Sequence, residues 1–317
     1  MLPETPDCKI PINTKLPLYE PYRTGSYLIY DYPPGQATHF REGTSIDLRA
    51  SGSRQLDFQP FYDALQSVAV RVNPSGRLYV VDLRQESHAF FDNRAVSWYA
   101  DMDWSNVGQS EAWILQDEAS KIEGISAPAP GMGTAQIFCL DQTSKSAQHL
   151  VPTGYSEITA GDALLEKKII ETKMKFPSRA IYIRITVTDH CAPNAAAQEK
   201  SKVLFRHLYQ QQDDQTWVHF HCHGGDGRTT TFLAMYDMVC WAKTKKTPFP
   251  SVKDFADRQL KLFTYNLDPG ACVESTDWKC GLARARWQWL ADWREWILSG
   301  GLTRQDLGDL EEIEKIA

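Results

Sequence analysis

Residues 216–231, TWVHFHCHGGDGRTTT, decide how the chain is read. Residues 216–220 predict a short strand that runs directly into a glycine-rich loop, and 229–243 predict a helix with Phe232, Met235, Tyr236 and Val239 facing inward. Between strand and helix lies a Cys-x5-Arg pattern followed by a hydroxyl residue: Cys222, Arg228 and Thr229. A loop this rich in glycine lets successive backbone N–H groups converge on one point. The helix that follows adds the positive end of its dipole, so the whole is an anion nest of phosphate size. Its five residues, His223, Gly224, Gly225, Asp226 and Gly227, are candidate substrate-binding positions. Arg228 offers a planar fork for two phosphate oxygens. The same positive field favours the thiolate of Cys222, the candidate nucleophile, and the Thr229 hydroxyl can donate to that sulfur when it leaves.

Working outward, residues 77–83 and 180–187 (AIYIRITV) predict two further buried strands, and 58–70, 111–124, 162–175, 195–211, 252–263 and 280–298 predict helices. The last helix carries Trp287, Trp289, Trp293 and Trp296, which read as core packing. Ala50-Ser51-Gly52-Ser53 reads as a turn, and 136–157 as two short strands around Asp141-Gln142-Thr143-Ser144. Strands alternating with helices indicate an α/β layered fold. Residues 1–40, rich in proline and tyrosine, predict an extended arm. A main domain over 41–300, with a candidate small β insertion at 125–157, and a C-terminal tail at 301–317 complete the division.

Composition limits the partners. With 34 Lys+Arg against 40 Asp+Glu in 317 residues, the net charge of −6 argues against unspecific nucleic-acid binding, so an anionic ligand needs a local basic pocket. No apolar run is long enough to predict a membrane span, and the start MLPETPDCKI lacks the pattern of a secretory signal. That leaves the cytoplasm or delivery into a host cell, or the periplasm and secretion if a leader was trimmed. Seven cysteines, an odd number without the regular spacing of a disulfide framework, imply at least one free thiol and favour a reducing compartment.

Two rival chemistries compete for the loop. His219, His221, Cys222 and His223 are potential metal ligands, but strand alternation turns His219 and His221 to one face and Cys222 to the other, and no second ligand pair stands nearby. A sulfur-transfer loop also presents a thiolate in a backbone nest, yet has no need of an arginine and a hydroxyl at the helix start.

The loop, with Thr188-Asp189-His190 and Pro193, with residues 81–88 (VDLRQESH), with 96–99 (VSWY) and with Asp103-Trp104, resembles the bacterial protein-tyrosine-phosphatase-like (PTP-like) phytases, cysteine phosphatases of myo-inositol polyphosphates. The likeness runs from about Tyr22 to Trp296. It implies an α/β PTP-like fold, a central mixed sheet flanked by helices with a small β-rich elaboration. It further implies Cys222 as nucleophile, Arg228 as phosphate binder, Asp189 as general acid on a loop and His190 touching substrate phosphate. Inositol phosphates are the implied small-molecule substrates, and neither cofactor nor metal is called for. The residues agree about Asp189: it follows a strand and precedes a proline, and a carboxylic acid suits an alkoxide leaving group; the competing reading is a turn or helix-capping Asp. Glu86 is assigned to orienting Arg228, against the alternative of a solvated charge at a strand end. Asp103 matches a position that meets inositol hydroxyls in the family, and Lys279 one of its phosphate-gripping lysines; each alone could be a surface charge. Arg23 and Arg41 are further basic candidates from the arm. The chain also departs from the pattern. Ser275 and Ala283 stand where the family has a basic residue and a tyrosine, and His223 and Asp226 replace commoner loop residues. A carboxylate near the nest opposes thiolate and polyanion alike unless it points outward, so the expected range of polyphosphates is narrow.

The runner-up reading is a dual-specificity protein or phosphoinositide phosphatase, and the rival from another class is a catalytically weak domain that binds phosphorylated inositols or proteins.

Overall fold

A computed structural model of the chain describes residues 27–32, 37–126, 135–140, 152–158, 163–211, 215–272 and 279–303. The first half builds β1 (Tyr27–Tyr30), β2 (Arg41–Glu42), β3 (Ala50–Arg54), α1 (Phe58–Ala69), β4 (Arg77–Arg84), β5 (His88–Phe91), β6 (Arg94–Tyr99) and α2 (Glu111–Ser126). There follow β7 (Ala135–Leu140), β8 (Pro152–Ile158), β9 (Ala163–Leu164), α3 (Glu166–Thr172), β10 (Arg179–Val187) and α4 (Ala195–Gln210). The last part contains β11 (Thr216–Cys222), α5 (Gly227–Thr244), α6 (Val252–Leu260) and α7 (Cys280–Leu298).

The strand that carries Cys222 lies at the centre of a five-stranded sheet ordered β10-β4-β11-β3-β2, parallel throughout except for β2. Both faces of such a sheet are covered, which is why its strands read as nearly continuous apolar runs. Val218, Phe220 and Cys222 face a core built with α4, α5, α6 and α7, where Phe205 meets Phe220, Phe232, Tyr236 and Trp293. Trp217 faces the opposite core with α1 and α3. His219 and His221 turn to that second side as alternation predicts, both against Phe61 of α1. Trp289 and Trp293 are fully buried core residues, with Trp287 and Trp296 packed at the margin. Helix α6 starts on a capping box between Ser251 and Asp254.

A second, six-stranded sheet, ordered β8-β7-β1-β6-β5-β9, was only partly legible. Tyr27–Tyr30, assigned to an extended arm, is an inner strand paired with β6 and β7. Strands β7 and β8 are the two strands expected at 136–157, and they extend this sheet beyond β1. Their connection, residues 141–151, lies outside the described residues. The helix expected over 162–175 shortens to α3, because Ala163 and Leu164 pair with β5.

The reading of 50–53 as a turn is also corrected: this is β3, buried throughout and parallel to β11. Small residues are needed there because α5 packs directly on the strand. A Cβ on Gly52 would stand 2.7 Å from Cγ2 of Thr229 and 3.0 Å from Leu233. Ser51 and Ser53 instead hold the buried His219 ring between their hydroxyls, at 2.9 and 3.1 Å.

Between the two sheets runs a buried polar layer. His88 of β5 stands 3.1 Å from Asp82 of β4 and 3.6 Å from Glu118 of α2, while His221 stands 2.9 Å from Glu166 of α3. Arg184 of β10 forks onto Glu118 with both contacts at 2.8 Å, and the Tyr182 hydroxyl donates to Asp82 at 2.7 Å. Burial and the Arg84 charge oppose a proton on His88, yet Asp82 and Glu118 outweigh them and raise it to about 10. Buried charges persist only when paired in this way.

Two predictions follow from this architecture. Gly52→Val must push α5 off β3, costing about 1–3 kcal/mol by overpacking, seen as a lower urea midpoint with unchanged slope. A histidine whose folded value is raised contributes stability that is complete below its unfolded value of 6.5 and disappears as pH rises through the folded value of about 10. The urea midpoint of the wild type should therefore fall across that window. The deficit of His88→Gln, large at neutral pH, should shrink towards zero by its upper end; a deficit independent of pH would show that His88 is not protonated in the fold.

Candidate active site

Cys222 ends β11 and Gly227 opens α5, and with Gly224 and Asp226 from the loop between them they floor a cavity of about 360 Å³. The sulfur, on a residue 2% exposed, accepts from the Gly225 N–H and from the Thr229 hydroxyl, each at 3.2 Å. Gly225 must be glycine: its φ is +76°, and a Cβ would lie 2.4 Å from the Arg54 nitrogen.

Arg228 is fully buried and held from three sides. Its Nη1 and Nη2 donate to the two oxygens of Glu86 at 2.7 and 3.0 Å, and Nη1 also donates to the Val187 carbonyl at 3.1 Å. Its Nε stands 3.1 Å from Oδ1 of Asp189. Glu86 is thus placed as assigned, on Arg228 and away from solvent. Its oxygens are shared with Arg84, whose Nε donates to Oε1 at 2.8 Å and whose Nη1 reaches Asp31 at 2.8 Å. Burial alone would raise Glu86, but Arg228 and Arg84 together hold it well below the ordinary carboxylate range.

Asp189 and His190 sit on a turn pinned by three elements. The Thr188 hydroxyl donates to Gln85 at 2.8 Å, the Trp104 indole donates to the Asp189 carbonyl at 3.0 Å, and Arg286 donates to the His190 carbonyl. The backbone passes through left-handed φ at His190, +66°. Burial would raise Asp189, but Arg228 and His190, 3.1 Å away, keep it below its usual value, as a carboxylate. Burial pushes His190 down to about 4 despite Asp189, helped by Lys279, Arg286 and Arg228. At neutral pH His190 is uncharged.

The walls are supplied by α7 and the segment before it. Lys279, Ala283 and Arg286 line the cavity, opposite Tyr265 and Asp268, and the Tyr265 hydroxyl accepts from Arg286 at 2.7 Å. Ala283 therefore does stand in the pocket. Arg286 and Tyr265 were missed in the sequence, although 279, 283 and 286 follow the i, i+4, i+7 spacing of one helix face. A disulfide joins Cys272, at the cavity wall, to Cys280 at the start of α7. Cys191 is disulfide-bonded as well, which corrects the reading of the cysteines as lacking a framework. Their spacing is irregular because the pairing depends on tertiary approach. Among the described cysteines, Cys222 and Cys240 form no disulfide.

Other candidates lie elsewhere. Asp103 is 4% exposed and bonded to His223 at 2.9 Å, beneath the loop and outside the cavity lining. His223 likewise faces Asp103, and its carbonyl accepts from Tyr32 and from the Gln55 N–H. Arg41 is buried behind the loop, donating to Thr230 at 2.9 Å and covering the Phe263 ring; burial brings it down to about 10. Asp226 lines the cavity with Gly224 and Gly227, half-exposed and 3.3 Å from His39, so it does not turn wholly away from the nest. Arg23 and Ser275 lie outside the described residues.

The donor atoms of Glu86, Asp103 and His223 lie within 4.8 Å of one another. Both Glu86 oxygens already accept from guanidinium groups, so this trio suits a cation poorly. Among the described residues no helix is long and apolar enough to cross a membrane.

Comparison with known proteins agrees with this arrangement. The sequence profile of the PTP-like phytase family, described by inositol hexakisphosphate, matches residues 132–240. The effector protein hopD2 of Pseudomonas syringae pv. tomato is 28% identical over 226 residues, covering 71% of this chain and 43% of that protein. Among solved structures, a PTP-like phytase from Bdellovibrio bacteriovorus is 27% identical with a TM-score of 0.63, covering 87% of this chain and 90% of that one. The PTP-like myo-inositol phosphatase of Mitsuokella multacida, solved with myo-inositol-(1,3,4,5)-tetrakisphosphate, is 22% identical with a TM-score of 0.71, covering 92% of this chain and 49% of that one. The chain thus spans under half the length of hopD2 and about half that of the Mitsuokella protein. In its profile match and in its fold, the chain is similar to the PTP-like phytases.

Proposed function

We propose that this chain is a cysteine-dependent phosphomonoesterase that removes phosphate from myo-inositol polyphosphates. The observation that carries the reading is the Cys222 sulfur at the floor of the cavity, 3.2 Å from the Gly225 nitrogen and from the Thr229 hydroxyl, with Arg228 of the same loop-to-helix segment clamped by Glu86. The Cys222 thiolate attacks phosphorus, forming an S–P bond as the P–O bond to the inositol breaks. The leaving oxygen takes a proton from Asp189. Water then attacks the phosphocysteine, Asp189 accepts its proton, and the S–P bond breaks with the thiolate stabilised by the Thr229 hydroxyl.

Asp189 rests on Arg228 as a carboxylate when no substrate is bound. Phosphate oxygens arriving at that guanidinium displace it and place negative charge beside it, which favours its protonation. Substrate thereby arms its own general acid.

The match to the phytase profile and the likeness to the Bdellovibrio phytase support an inositol phosphate as substrate. Among the described residues, Lys279 and Arg286 are the Lys and Arg side chains of the cavity wall and would meet a second phosphate, while Asp226 and Asp268 oppose a crowded polyanion. Inositols carrying few phosphates fit this balance best.

Three variants test the reading on a panel of inositol phosphates, aryl phosphates and phosphotyrosine peptides. Cys222→Ser should bind inositol phosphates without turnover. Asp189→Asn should slow inositol esters about 10²–10⁴-fold and aryl esters far less, because a phenolate leaves with little protonation. Lys279→Ala should weaken binding of a polyphosphate several-fold, and of a monophosphate little, in keeping with a screened, solvent-facing contact. Higher kcat/KM on phosphotyrosine peptides, with Lys279→Ala acting alike on all substrates, would replace the inositol with a protein substrate. Binding without turnover by the wild type would make the domain a phospholigand binder.

A further inference from the structure

His223, the loop residue after the nucleophile, has a partner that the reaction above does not use. Its Nδ1 lies 2.9 Å from Oδ2 of Asp103, and the same Asp103 oxygen stands 3.7 Å from Nη2 of Arg228. Asp103 is brought there by two consecutive left-handed residues, Met102 at φ +60° and Asp103 at +63°, with the Asp103 N–H bonded to the Ala100 carbonyl at 2.9 Å. Non-glycine residues adopt that conformation only when surrounding structure imposes it.

The charges around the pair explain why it matters. Arg228 already faces Glu86 and Asp189, and Arg84 faces Glu86 and Asp31. Asp103 is a further carboxylate in this buried group, and a free one would compete with phosphate for the Nη2 side of Arg228. Burial and the Glu86 charge push Asp103 up to about 6, whereas Asp103 and Asp31 overcome burial to raise His223. The rise of His223 favours a proton on its ring, 2.9 Å from the Asp103 carboxylate. Oδ1 of Asp103 and Nε2 of His223 have no hydrogen-bond partner, so Nδ1 to Oδ2 is the bond that links the two side chains.

From this geometry we infer that His223 is a positioning residue, which holds the Asp103 carboxylate and cancels its charge so that Arg228 stays available to bound phosphate. The inference rests on the reading of the loop as a phosphate site. It adds how a nest for a dianion accommodates a buried carboxylate 3.7 Å from its arginine.

Calorimetric titration of inorganic phosphate into the wild type, His223→Gln, Asp103→Asn and the double variant, at neutral pH, tests it. His223→Gln should weaken phosphate about tenfold or more, since it leaves a buried charge without its partner. Asp103→Asn added to that variant should restore affinity to within about threefold of the wild type, a coupling that independent sites do not show. A double variant as weak as His223→Gln, or a His223→Gln that binds like the wild type, overturns the inference. Should His223→Gln not fold, Asp103→Asn alone decides: phosphate binding as tight as the wild type or tighter supports the inference, and looser binding overturns it. A wild type that fails to bind phosphate at all would instead refute the reading of the loop, so the two failures are distinguishable.

Discussion

The bidentate pair between Arg228 and Glu86 is the constraint on which the site depends. A guanidinium with no exposure has to be matched, and Glu86 matches it only because Arg84 shares the carboxylate and Asp31 balances Arg84 in turn. Removing one member of such a group leaves an uncompensated buried charge, a cost of about 3–5 kcal/mol. The group also sets geometry: with both Nη atoms committed to Glu86, the Nε edge of Arg228 is what Asp189 can reach. Floor, arginine and acid are therefore fixed relative to one another through β4, β11 and the end of β10.

The segments by which the sequence could be recognised turn out to be each other's contacts. Within residues 82–88, Asp82 and His88 pair across the two sheets, Arg84 and Glu86 support Arg228, and Gln85 receives Thr188 from the turn that carries Asp189. Trp104 holds the Asp189 carbonyl, and its neighbour Asp103 holds His223. Polar residues in a buried layer have few alternatives, because each unpaired group is penalised. Such segments keep a recognisable spelling for that reason.

What the sequence made legible divides along the same line. The parallel strands β4, β10 and β11 and the helices α4 to α7 have period or composition strong enough to read, since both faces of that sheet are apolar. Strand β3 was hidden because its partner α5 demands small residues, and small residues spell a turn. Strand β1 was hidden because its register exists only against β6 and β7. In the candidate site, Cys222, Arg228 and Thr229 stood out by local chemistry, whereas Glu86 had a strand-end charge as its rival reading until the fold placed it on Arg228. Arg286 and Tyr265 did not stand out: each is an ordinary residue until the fold brings α7 across the mouth of the loop.

The cavity separates two tasks. Its floor comes from the parallel sheet and α5, where burial makes charge pairs strong and substitutions severe. Its outer wall comes from α7 and the segment tied to it by Cys272–Cys280, where Lys279 and Asp268 lie close to solvent and each contact is weak. On the proposed function, reaction type is set by a few buried groups that tolerate little change. Preference among phosphorylated ligands is then set by several screened charges, which can be exchanged without disturbing the core. A histidine after Cys222 and an aspartate in the loop are then compatible with the proposed chemistry, provided each has a local partner, as His223 has in Asp103 and Asp226 in His39.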